Sequence, residues 1–318
     1  MVNQNAISSL KTALQARIIG QAQLIESLVI SLLADGHLLV EGAPGLAKTT
    51  AIKTLADGLQ CSFKRIQFTP DLMPADVTGS DIYRTEEHRF EFQPGPVFAN
   101  LVLADEINRA PAKVQSALLE AMSERQVSAS GTTYSLPDPF LVMATQNPVE
   151  HEGTYPLPEA QLDRFLMKVS LDYPSIEEER SILHLARQQQ SKSLPDLVPV
   201  AMDDVLAARK EVEAIHVSDA VESYIVRLVD ATRRPENYSD ALANLISYGA
   251  SPRATIALDL CARVVAWLEN KDFVTPAHVQ WVAGRVLAHR LVLSLPAQAK
   301  GYTGDSIVEE IISAVAVG

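Results

Sequence analysis

A glycine-punctuated turn, set between an apolar run and a helix-compatible segment, leaves few folds open to this chain. Residues 39–50 read Leu-Val-Glu-Gly-Ala-Pro-Gly-Leu-Ala-Lys-Thr-Thr. Leu38, Leu39 and Val40 predict a short buried strand that feeds the turn. This is the layout of a phosphate-binding loop. The turn Gly42, Ala43, Pro44, Gly45, Leu46 and Ala47 would wrap phosphates through backbone N–H groups. Lys48 would reach the β- and γ-phosphates, the Thr49 hydroxyl would ligate magnesium, and Thr50 would continue into a helix whose positive end faces the anion. One position departs from the usual Gly-x-x-x-x-Gly-Lys-Ser/Thr pattern, because Ala47 stands where glycine is expected. If the backbone there is helical, alanine costs nothing. If it is left-handed, the loop is strained.

An acid pair strengthens this reading. Leu101-Val102-Leu103-Ala104 is an apolar strand that ends in Asp105-Glu106. Ionised side chains at the end of a buried strand need a partner, and downstream of a phosphate loop that partner is magnesium-nucleotide. Asp105 would hold Mg²⁺ and Glu106 would activate the attacking water. A further apolar strand, 140–145, ends at Gln146-Asn147-Pro148, where the Asn147 amide could orient that water or sense the γ-phosphate. The alternative is a simple turn, which Asn-Pro favours.

The rest of the first half alternates strand and helix. Helical spacing covers 5–33 with a break at Gly20, and helices are expected over 48–59 and 111–125. Ile18 and Ile19, before the break, are either core or the wall of an adenine site. Further strands are expected at 66–68 and 166–171, with hairpins near 82–92 and 126–136. The order implies a parallel sheet with helices on both faces and ligands at the C-terminal strand ends.

The pattern then changes. Residues 176–190 read as a helix and 191–195 as a polar linker. Beyond them the periodicity is helical over 203–214, 218–233, 239–248, 252–269, 276–293 and 305–316, with Asp305 as the last cap. The expected division is 1–190, an α/β nucleotide-binding domain with two inserted hairpins, and 191–318, an all-helical lid. Arg253 follows Ser251-Pro252 at a helix start, where the dipole disfavours a cation. An anion or a neighbouring acid must hold it.

Composition excludes several classes. The net charge of −12 argues against a strong electrostatic grip on nucleic acid or anionic membrane. The two cysteines, Cys61 and Cys261, lie far apart and show no metal-ligand or disulfide framework. The His151-Glu152 pair has no second histidine four residues on, so it is not a zinc-protease motif. No window approaches ~18 uninterrupted apolar residues, so no membrane span is expected. With no basic-then-apolar start either, the cytoplasm is the default location.

Taken together, these strings resemble the MoxR family of AAA+ ATPases. They are Gly-Ala-Pro-Gly-Leu-Ala-Lys-Thr from Gly42, Phe68-Thr69-Pro70-Asp71-Leu72-Met73-Pro74, Asp105-Glu106-Ile107-Asn108-Arg109-Ala110-Pro111, Ala144-Thr145-Gln146-Asn147-Pro148 and Leu162-Asp163-Arg164-Phe165. The resemblance spans most of residues 15–290 and keeps Ala47. It implies an ATP-hydrolysing ring, usually a hexamer, with ATP and Mg²⁺ as ligands. Asn147 is implied as a first sensor, Arg253 as a second, and Arg164 as an arginine finger donated to a neighbour, with Arg109 a second candidate in trans. It also implies chaperone-like maturation or cofactor insertion in a client complex, often with a von Willebrand factor A domain partner. Three competing readings are a metal-chelatase-like ATPase subunit, a nucleic-acid motor, and a nucleotide-gated scaffold with little turnover, against which Glu106 and Arg164 argue. The second is disfavoured because the 126–136 hairpin has only Arg125 nearby and no Lys.

Overall fold

The structure, a computed structural model, describes residues 2–129, 131–148, 153–190 and 197–317. The linker at 191–195, the His151-Glu152 pair and Ser130 of the second hairpin lie outside the described residues.

In chain order, α1 (Val2–Arg17) and α2 (Ala22–Leu33) precede β1 (Leu38–Gly42), α3 (Lys48–Leu59) and β2 (Phe63–Gln67). Next come α4 (Pro74–Thr78), β3 (Gly79–Arg84), β4 (Arg89–Pro94), β5 (Leu101–Asp105) and α5 (Ala112–Glu124). Then follow β6 (Gln126–Ala129), β7 (Thr132–Ser135), β8 (Leu141–Gln146), α6 (Glu159–Leu162), β9 (Met167–Leu171) and α7 (Ile176–Gln190). The remainder is α8 (Met202–Glu213), α9 (Asp219–Arg233), β10 (Ile246–Tyr248), α10 (Pro252–Leu268), α11 (Pro276–Leu287), β11 (Val292–Leu293), α12 (Leu295–Ala299) and α13 (Gly304–Ala314). By contacts these form two units, one holding residues to Leu157 with Val169–Leu206, the other Pro158–Lys168 with Ala207 onward.

The first unit is built on a five-stranded sheet of order β2-β5-β8-β1-β9. β2 with β5, β5 with β8, and β8 with β1 pair in parallel. Leu38, Leu39, Val40, Leu101, Val102 and Leu103 are fully buried, which is why the central strands read as continuous apolar runs. Edge strand β2 reads differently because Lys64, Arg65 and Gln67 are exposed while Ile66 is buried. Its expected span, 66–68, was therefore too short, and the strand is Phe63–Gln67. The parallel register brings Gly42, Asp105 and Gln146 to the same end of the sheet, the end at which ligands bind in such folds.

Two antiparallel hairpins are inserted. β3 and β4 pair from Gly79↔Pro94 to Arg84↔Arg89, and β6 and β7 from Gln126↔Ser135 to Ala129↔Thr132. The Phe92 and Tyr134 rings stack at 4.3 Å between centroids, which ties one hairpin to the other.

The second unit is a helical lid. It departs from expectation at 239–248, which forms turns and strand β10 rather than a helix. Leu242 and Leu245 are both buried, so their spacing mimics one helical face. Tertiary pairing wins instead: β10 pairs with β11, and Ser294 N–H donates to Leu245 O at 2.9 Å. The same pairing ends α11 at Leu287, short of the expected 293. Thr303, not Asp305, is the N-cap of α13: its hydroxyl accepts from Ser306 N–H, and Asp305 sits in the first turn.

Candidate nucleotide site

The loop after β1 places its backbone by two left-handed residues. Gly45 has φ +87° with nothing within 4 Å of where a Cβ would stand, so glycine serves conformation there and not space. Ala47 has φ 56° and ψ 18°. The strained alternative is thus the observed one, at a cost of roughly 1–2 kcal/mol. Strain held in a functional turn needs support from its surroundings. Here β1 on one side and α3, starting at Lys48, on the other supply it.

Lys48 Nζ donates to Gly42 O at 2.7 Å. Burial pulls its ammonium below the usual lysine range, while the charges of Asp105 and Glu106 work in the opposite direction. Lys48, Thr49, Thr50, Asp105, Glu106 and Asn147 line one cavity of about 350 Å³.

The acids are held by a network. Thr145 Oγ1 donates to Asp105 Oδ1 at 2.7 Å and accepts from Glu106 N–H at 2.9 Å. Arg65 donates to Asp105 Oδ2 through Nη2 at 2.6 Å and Nε at 3.1 Å. Its Nη2 also donates to Gln67 Oε1 at 2.8 Å, and Gln67 Nε2 donates to Glu106 Oε2 at 2.9 Å. Arg109 Nη1 donates to the same Glu106 oxygen at 3.0 Å, so this candidate for a contact in trans is engaged within its own chain. Glu106 itself sits at φ 56°. Arg65, Gln67 and Thr145 were not singled out from the sequence. Period-two spacing puts Arg65 and Gln67 on one face of β2, but only the parallel register sets Gln67 opposite Asp105.

The donor set suits a hard divalent cation. One hydroxyl (Thr49) and one carboxylate (Asp105) line the same cavity. Mg²⁺ is usually held by one or two carboxylates plus substrate phosphates. Among the described residues there is no cluster of three or more His, Cys, Asp or Glu that would suggest an all-protein metal cage.

Ile18 and Ile19 line a second cavity, of about 180 Å³, with Gly45, Leu46, Ala47 and Thr50 of the loop. Ile18 is buried, as the core reading expects, and also stands beside the loop.

Arg164 and Arg253 belong to the second unit. Arg253 meets an acid: its Nη1 lies 3.6 Å from Asp163 Oδ2. Ser251 caps α10, its Oγ accepting from Arg253 N–H at 3.1 Å and donating to Asp163 Oδ2 at 2.8 Å. Among the described residues no helix is long and apolar enough to cross a membrane.

Known proteins share this chain's sequence and fold. Residues 37–167 match the profile of the ATPase family associated with various cellular activities (AAA), and residues 240–311 match the AAA lid domain. The chain is 47% identical over 303 residues to Chaperone MoxR1 of Mycobacterium tuberculosis, covering 94% of this chain and 79% of the relative. It is 48% identical over 288 residues to the uncharacterized protein YeaC of Bacillus subtilis, covering 90% and 87%. It is 34% identical over 308 residues to Protein MoxR of Methylorubrum extorquens, covering 91% and 88%. A crystal structure described as that of a candidate ATPase of Cytophaga hutchinsonii superposes with a TM-score of 0.92 at 46% identity, covering 99% of this chain and 96% of that one.

Proposed function

The chain belongs to the MoxR family of AAA+ ATPases, and from that premise we propose how its residues divide the work of ATP hydrolysis. One observation carries the reading: the phosphate-binding turn, both strand-end acids and Asn147 line a single cavity. Lys48 and the turn bind the β- and γ-phosphates. Ile18 and Ile19 wall the base. Thr49 and Asp105 would hold Mg²⁺, which when bound offsets charge on the phosphate oxygens. Glu106 takes a proton from the attacking water, whose oxygen bonds to the γ-phosphorus as the bridging P–O bond breaks, leaving ADP and phosphate. Gln67 and Arg109 hold the Glu106 carboxylate in place for that transfer. Asn147 orients the water, and Arg253 reads the γ-phosphate.

Arg164 acts on the nucleotide of a neighbouring copy in a six-membered ring, a contribution worth roughly 10³–10⁵ in rate. The name of the Mycobacterium tuberculosis relative supports a chaperone-like output. Hydrolysis in the cytoplasm would then drive maturation, assembly or cofactor insertion in a client complex, with a von Willebrand factor A domain protein as partner. The β3–β4 hairpin supports client contact, since Tyr83 and Phe90, with ring centroids 5.2 Å apart, are both exposed on it.

The test is light scattering on Glu106→Gln protein with and without ATP and Mg²⁺. A hexamer-sized species with nucleotide is expected. Mixing Glu106→Gln with Arg164→Ala chains should then restore turnover, because each supplies what the other lacks. A monomer under every condition, or no restoration on mixing, contradicts the assignment of Arg164 in trans.

A further inference from the structure

The residue before Arg164 has more charged partners than a helix-to-strand connection needs. Asp163 Oδ1 accepts from Arg290 Nε at 2.9 Å, and Oδ2 accepts from Ser251 Oγ at 2.8 Å. Arg290 is a fixed partner. Its side chain is 2% exposed, and its guanidinium also donates to the carbonyls of Phe165 at 2.6 Å and Leu166 at 3.2 Å. A buried guanidinium must satisfy its donors within the fold, so it staples residues 163–166 to the helical unit. Arg253 is different. It approaches Asp163 only to 3.6 Å, and its side chain is 55% exposed. A half-solvated ion pair of this length is weak. A triphosphate oxygen, carrying more charge, can take the guanidinium away.

We propose that Asp163 is a positioning residue that joins the two functional arginines: it parks Arg253 when no triphosphate is bound, and fixes the backbone that carries Arg164. This rests on the roles given above to Arg253 and Arg164. Asp163 and the γ-phosphate then compete for one guanidinium. Capture of Arg253 by a triphosphate removes one of the groups holding Asp163, and the adjacent residue is Arg164. A subunit's own nucleotide state is thereby passed to the arginine it offers its neighbour, through a single peptide bond.

Two measurements test this on the full chain. The first is binding of AMP-PNP and of ADP to Asp163→Asn protein. Removing the competitor should tighten AMP-PNP by up to about five-fold, the equivalent of ~1 kcal/mol for an exposed pair, with ADP unchanged. The gain should vanish in the Asp163→Asn/Arg253→Ala double variant. Because Asp163→Asn leaves Arg290 buried without its counter-ion, that variant is liable to unfold. The second measurement therefore uses the unaltered chain: hydrogen exchange of 158–168 with AMP-PNP against ADP. A difference between the two nucleotides that disappears in Arg253→Ala supports the proposal. An identical pattern with both, or a difference that persists in Arg253→Ala, overturns it. If Arg253→Ala binds AMP-PNP as tightly as the parent, the role of Arg253 at the nucleotide fails and this inference with it. If Arg253→Ala binds AMP-PNP more weakly while 158–168 of the unaltered chain exchanges alike with AMP-PNP and ADP, only the inference fails.

Discussion

Arg65 lays its guanidinium along Asp105, with Nη2 at 2.6 Å and Nε at 3.1 Å from the same carboxylate oxygen. The acid assigned to a divalent cation is thus charge-compensated from edge strand β2. Arg65 is half exposed, so the pair is a modest one. It nonetheless stands where a cation bound by Asp105 would have to compete.

Replacing Arg65 with Leu should lower the Mg²⁺ concentration needed for half-maximal binding of a fluorescent ATP analogue, by up to about five-fold. Titrating Mg²⁺ against a fixed analogue concentration reads this directly. An unchanged or raised requirement would mean that Arg65 does not compete with the metal.

The left-handed Ala47 predicts an unusual response to mutation. Glycine there relieves roughly 1–2 kcal/mol of strain but loosens the unfolded chain by about 0.4–1 kcal/mol. Ala47→Gly should therefore be neutral to mildly stabilising in urea unfolding, whereas Ala47→Val, β-branched at positive φ, should destabilise by more than ~1 kcal/mol. A glycine variant clearly less stable than the parent would show that the loop is not left-handed at this position.

Both thiols should be sluggish. Burial, with the Asp57 charge adding to it, pushes Cys61 up to about 11. Burial pushes Cys261 up to about 12 against the opposing charges of Arg290 and Arg285. At pH 7.5 neither is thiolate, the reactive form. Mass spectrometry should find both unmodified after brief iodoacetamide treatment of the folded chain and both modified in denaturant. Rapid labelling of Cys261 in the folded state would contradict its packing.

His289 sets an acid limit on the lid. Desolvation, and then the charge of neighbouring Arg290, holds its imidazole well below the ordinary histidine range. A group whose folded pKa is depressed binds its proton in the unfolded chain first. Its stabilising effect is complete above about pH 6.5 and is lost as pH falls below it, at up to ~1.4 kcal/mol per pH unit. Urea midpoints at pH 7.5 and 5.5 should separate more for the parent than for His289→Gln. Equal separations would remove His289 from the explanation.

Much of the site is legible in the sequence because its parts are local. An apolar run ending in Gly-Ala-Pro-Gly and another ending in Asp105-Glu106 each announce a strand and its tip without any tertiary information. Arg65, Gln67 and Thr145 are not legible in that way. They sit on two other strands and reach the acids only through parallel register, which periodicity within one segment does not reveal. The same limit hid the partner of Arg253, which lies at Asp163, far away in sequence. At 239–248 a local signal misled, since Leu242 and Leu245 are buried for reasons of tertiary pairing.

Turnover through Glu106 is tested most directly by measuring ATP binding and phosphate release on the same Glu106→Gln protein. Binding should stay within a few-fold of the parent, because the carboxamide keeps the shape of the side chain. Phosphate release should fall by at least about 100-fold, the scale of a lost general base. Parent-like phosphate release from Glu106→Gln would contradict the assignment of the attacking water to this residue.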